Sequence, residues 1–199
     1  MNPPTSRLLL AAAAWLLASC SLQSATPPKT TFQFGASRPA MAAANPRQGS
    51  LRIADFRAPQ ANRSANLIYR ETDQRFVADP YRVFLAPPAT LMAERTRAWF
   101  AASGLFRAVL PAGSLQKAET ELEVEIAELY ADVREPKHPA AVLALRAWVT
   151  DSNGAALRSE WRFARRIALK QADAASVVAG FDQALEAALT DLEAKLAGQ

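Results

Sequence analysis

The sequence predicts an α+β domain: a mostly antiparallel sheet with two helices packed on one face. Three observations carry that prediction. Several segments alternate apolar and polar residues with a period of two, as half-buried strands do. Two longer segments repeat apolar residues at intervals of three and four, the spacing of an amphipathic helix. The strands also come in runs rather than alternating singly with helices, which points away from a βαβ architecture.

Taken in order, Thr31-Phe32-Gln33-Phe34 is a short first strand, followed by a loose Ala/Pro/Asn-rich stretch from Ser37 to Ser50. Leu51 to Phe56 alternates as a strand, starting the folded body in earnest, and Pro59 and Asn62 break it. Leu67-Ile68-Tyr69-Arg70 and Arg75-Phe76-Val77 flank Glu71 to Gln74 as a hairpin. Pro80 and Pro87-Pro88 fence off Tyr81 to Leu85, and Pro88 opens a helix that runs to Ser103 and stops at Gly104. On this helix Leu91, Ala98 and Ala102 share one face, with Met92 and Trp99 alongside.

Leu105 to Val109 is a short strand ended by Pro111 and Gly113. Leu122, Val124 and Ile126 alternate with Glu121, Glu123 and Glu125, giving one buried and one acidic face. After the Pro136-to-Pro139 loop, Leu143, Leu145, Ala147 and Val149 fall on one side of the next strand. Asp151 to Gly154 is a turn, and Leu157 to Phe163 alternates again. The last helix is capped by Asp173 and carries a stripe of Val177, Phe181, Leu185, Leu189, Leu192 and Leu196.

The N-terminus reads as an address. Arg7 precedes an apolar run from Leu8 to Leu17, too short to span a bilayer core about 30 Å thick but right for a secretory leader. Leu17-Ala18-Ser19-Cys20 follows, and Cys20 is the only cysteine among 199 residues. This segment resembles a bacterial lipobox, whose small residues admit the signal peptidase and whose thiol takes diacylglycerol as a thioether. The expected organisation is a lipoprotein signal peptide over 1–19, a flexible tether over 20–30 and one α+β domain over 31–199. Two or three acyl chains at Cys20 anchor stably, because each buried methylene contributes about 0.8 kcal/mol. Ser21 stands where an Asp resembles an inner-membrane retention signal, so the expected place is the periplasmic face of a Gram-negative outer membrane.

Composition removes much of the catalytic menu. One cysteine and one histidine leave no intramolecular disulfide, no Cys-cluster zinc site and little Ser–His or Cys–His chemistry. The net charge of +4 comes without a block of like charges, so nucleic acid is not an expected partner. No Gly-rich phosphate loop is present, which assigns ATP hydrolysis to some other subunit. His138, between Lys137 and Pro139, reads as a solvated loop residue rather than a base. Glu121, Glu123 and Glu125 form one row with no loop to wrap a cation, so they read as a solvated or partner-facing strip. The expectation is a non-enzyme with no cofactor, no catalytic residue and no metal. Arg158, Arg162 and Arg166 alternate on one strand face, with Arg165 at an irregularity, and are candidates to meet an acidic partner or anionic lipid. Trp99, Trp148 and Trp161 read as core anchors.

The order of pieces resembles a known family. The lipobox is followed by Phe32-Gln33-Phe34, a basic hairpin with Ile68-Tyr69-Arg70, and a Tyr81…Phe84-x-x-Pro87-Pro88 helix entry. Ser103-Gly104-Leu105-Phe106…Val109, the Asp151-x-x-Gly154 turn and a last amphipathic helix complete it. Over nearly the whole mature chain this resembles the ABC-type transport auxiliary lipoproteins, of the paraquat-inducible protein C kind, with Phe84 where members usually carry Trp. The resemblance implies an auxiliary component of an intermembrane lipid transport system. Its partner would be a periplasmic MCE-domain protein and, through it, an ABC permease and ATPase. A homo-oligomer is compatible with that role, though no residue pattern calls for one. A lipoprotein accessory for cell-wall synthesis or outer-membrane assembly is the alternative, and a periplasmic hydrolase built on His138 a third.

Overall fold

In a computed structural model describing residues 27–39, 48–151 and 156–199, the chain folds as α+β. The leader, Cys20 and most of the 151–154 turn lie outside the described residues. Eight strands form one mixed sheet: β1 (Thr30–Phe32), β2 (Gln48–Ile53), β3 (Asn66–Arg70), β4 (Phe76–Phe84), β5 (Phe106–Pro111), β6 (Thr120–Asp132), β7 (Ala140–Asp151) and β8 (Leu157–Ala168). Two helices join them, α1 (Pro88–Ser103) and α2 (Ala174–Ala197).

β6 is the hub. Along one side it pairs antiparallel with β7, which pairs antiparallel with β8. Along the other side, β2 adds in parallel at its beginning and β3 at its end. β5 extends β2 in parallel, while β4 extends β3 antiparallel and carries β1 in parallel. Between β2 and β3 the connecting loop itself serves β6: Arg57 N donates to Val124 O at 2.9 Å and Ile126 N donates to Arg57 O at 2.8 Å. The long ladders are antiparallel and the short joins parallel, a mixture that residue alternation cannot distinguish because both have period two.

Both helices cover the same sheet face. The inward rows Leu122, Val124, Ile126 of β6 and Leu143, Leu145, Ala147, Val149 of β7 are buried with Phe163 of β8. Against them pack Val177, Phe181, Leu185, Leu189, Leu192 and Leu196 of α2, the stripe read from the sequence. Gly180 permits the approach: a Cβ there would lie 2.7 Å from the Ala141 Cβ and 2.7 Å from Leu169 Cδ2. On α1 the buried face runs through Met92, Thr96, Trp99, Phe100 and Ser103, whereas Ala98 and Ala102 face solvent. The expected Leu91–Ala98–Ala102 face is therefore rotated. Two hydroxyls make the polar members acceptable in the core, Thr96 donating to Met92 O and Ser103 to Phe100 O, each at 2.8 Å. Gly104 ends α1 at φ 67°, a left-handed cap that glycine adopts without Cβ strain.

Three boundaries move from their sequence-derived positions. β6 continues six residues beyond Ile126 because a bulge at Ala127 shifts the inward phase to Leu129 and Ala131. Pro80 lies inside β4, where the register slips between Asn66 and Ile68 of β3, so the missing N–H breaks no ladder bond. The body also begins before Leu51. Phe34 is fully buried, stacked on Phe84 at 4.9 Å, and Phe84 lies 6.4 Å from Phe181. The strap that follows is fastened to α2: Gly35 N and Ala36 N donate to Asp182, Ser37 N to Glu186, and Arg38 forks onto Glu193.

Candidate functional site

The sheet face away from the helices is the candidate site. Period two puts Glu121, Glu123 and Glu125 of β6 on it, since Leu122, Val124 and Ile126 point inward. Register then aligns Thr150, Trp148 and Arg146 of β7 beside them, and Glu160 and Arg162 of β8 beyond. Arg52 and Arg57 close the other flank.

The result is a face of alternating charge rows. Arg52 lies 3.8 Å from Glu121, Arg57 3.0 Å from Glu123, and Arg146 3.9 Å from Glu125 and 3.0 Å from Glu160. Arg162 reaches Glu160 at 3.4 Å. The Arg146 hydrogen bond, with Arg162 assisting, holds the Glu160 carboxyl below the ordinary glutamate range. Trp148 is at the middle of this face, its ring flanked by the guanidinium groups of Arg57 at 5.3 Å and Arg146 at 5.1 Å. It is not the core anchor expected from ring size. The other two tryptophans do face the helices: Trp99 is buried with its indole N–H donating to Glu193 at 2.7 Å, and Trp161 packs against the core beneath Lys195.

The three candidate arginines have different fates. Arg162 is 72% exposed and lies across from Arg146 on the outer face. Arg166 is fixed inside the molecule's own network, 2.6 Å from Asp132. Asp132 is only 2% exposed and also takes a two-pronged bond from Arg134, at 2.9 and 2.8 Å. Those hydrogen bonds, Arg134 first, hold its carboxyl far below the usual aspartate range despite burial. Arg158 lies at a bulge, where β8 has one residue more than β7, and lines a small depression with Gln48, Glu119 and Gln199. Arg165 is at no irregularity: the ladder runs straight through it, so it points to the helix side and pairs with Asp191 of α2.

His138 is exposed in the β6–β7 loop, beside a depression of about 420 Å³ lined by Glu135, Lys137, Arg166 and Leu169, with no hydroxyl or thiol in the lining. Among the described residues no three His, Cys, Asp or Glu side chains converge as a metal site. An apolar notch of about 240 Å³ opens between β3 and β6, walled by Ile68, Phe76, Leu129 and Tyr130, with Arg70 over both rings. The sequence marks Asn62 only as a strand breaker. It is buried and donates from Nδ2 to Leu129 O at 2.9 Å, just ahead of the point where β3 joins β6 at Ala131.

No family model matches the sequence, and no curated protein matches it. Solved structures do. A Xanthomonas campestris protein of family DUF330 superposes with a TM-score of 0.72 at 21% identity, over 82% of this chain and 92% of its own. An uncharacterized protein gives 0.69 at 11% identity, over 85% and 99%. A hypothetical protein from Chlamydia trachomatis gives 0.50 at 12% identity, over 76% and 99%. What these share with the present chain is the fold.

Proposed function

We propose that this chain is a non-enzymatic lipoprotein of the outer membrane, an auxiliary component of an ABC/MCE-type intermembrane lipid transport system. The single observation that carries the reading is the lone Cys20 at the lipobox position, joined by a short Pro-containing tether to a body strapped down from Phe34 onward. Acyl chains on Cys20 hold the body at the periplasmic leaflet. The outer sheet face, with its arginine and glutamate rows around Trp148, offers a flat polar surface for a periplasmic bridge protein. The fold likeness to the Xanthomonas protein supports a body of this architecture as a self-contained module. Accessory work for cell-wall synthesis remains the rival role for the same anchored module.

Metabolic labelling tests the anchor. Labelled palmitate is expected in the mature wild-type chain and absent from Cys20→Ser, which moves to the soluble periplasmic fraction. Unlabelled wild-type protein, or a Cys20→Ser chain that stays membrane-bound and fully active, contradicts the reading.

A further inference from the structure

We infer that the free edge of β8 is a strand-addition site for an extended segment of a partner that alternates acidic and apolar residues. Among the described residues β8 pairs only with β7, so the other side of a twelve-residue strand is open. Every second residue of an edge strand turns its backbone N–H and C=O outward, which templates another strand. β8 contains no proline or glycine, and apart from the bulge at Arg158 its ladder to β7 is regular.

Charge selects the occupant. β8 holds Arg158, Arg162, Arg165 and Arg166 against a single acid, Glu160; Asp191 takes up Arg165 and Asp132 takes up Arg166, which leaves Arg158 and Arg162 toward an added strand. A second copy is a poor fit, because the other two open edges among the described residues offer no acid. β5 carries Arg107, and β1, which has no charged residue, follows Lys29. Two β8 edges side by side would gather an excess of arginine over glutamate in every register. A foreign strand with acids on its outward side would meet Arg162, whose side chain is 72% exposed, while Arg166 stays with Asp132. Apolar residues on its other side would cover Trp161 and Ile167, both only partly buried where the edge ends the core. Only the identity of the molecule that supplies the strand depends on the transport reading; the edge itself does not.

The test is amide hydrogen exchange on the full-length chain in detergent, titrated with a peptide of about ten residues alternating valine and glutamate, and with its valine–lysine counterpart. The glutamate peptide is expected to slow exchange across Leu157–Ala168 saturably and less strongly at high salt, while the lysine peptide has no effect. Arg162→Glu, an exposed substitution that leaves the core intact, is expected to weaken the effect about tenfold. The Cys20→Ser chain should respond as wild type does, so failure here and failure of the anchor are separate results. Equal effects of both peptides, or protection elsewhere than β8, would overturn the proposal. So would β8 protection that rises with protein concentration in the absence of peptide, since a second copy would then occupy the edge.

Discussion

Burying the Asp132 carboxylate to 2% exposure carries a desolvation cost that Arg134 and Arg166 offset. The folded pKa lies below the unfolded value near 3.9, so the pair's stabilisation is complete above that value and fades as pH falls through the folded one. Asp132→Asn is expected to cost about 1–2 kcal/mol at pH 7, a figure reduced because both guanidinium partners are partly exposed. In melts over a pH series, the gap to wild type should persist down to about pH 4 and close in stronger acid. A gap that widens on acidification would refute this account. Residue-scale roles were unevenly legible. Trp148 could have been placed outward by phase alone, since Ala147 and Val149 point inward, but ring size argued for the core. Asp132 was only half legible: Arg134 is two residues on, but its second partner, Arg166, is 34 residues away.

At the scale of elements, α2 was legible because its apolar stripe, its Asp173 cap and its length agree. The Asp173 carboxylate accepts from Ser176 N at 3.0 Å, as the capping pattern requires. α1 was legible in its ends but not its face: Pro88 and Gly104 fix the boundaries, whereas Thr96 and Ser103 hide the buried stripe behind polar side chains. Strand ends at bulges were illegible, because one inserted residue inverts the alternation by which a strand is recognised. Gly180 offers a test of how closely α2 is seated. In a solvated helix, Gly→Ala gains about 1 kcal/mol of helix propensity. Here the added methyl group meets Ala141 at 2.7 Å, so Gly180→Ala is expected to lose about 1–3 kcal/mol in denaturant titration. A stabilised variant would show that the helix can move away from β7 at little cost.

For the whole molecule, the α+β class and the single covered sheet face followed from periodicity, but the branching about β6 did not. Parallel joins such as Leu51 to Thr120 link residues far apart in sequence, and their pairing is set by packing. That branching sets which residues share a surface. It gathers the β6, β7 and β8 charge rows into one outward surface and, among the described residues, leaves β8 as a long open edge, while the N-terminal strap is fastened to α2 on the other side of the sheet. The central claim is that an anchored, non-catalytic module docks a lipid-transport bridge. Its most direct test is in-cell crosslinking followed by capture of the membrane-anchored chain and identification of its partner by mass spectrometry. The account predicts that an MCE-domain protein is recovered with wild type and lost with Cys20→Ser. Recovery of cell-wall synthesis enzymes alone, with no MCE-domain protein in repeated captures, would contradict it.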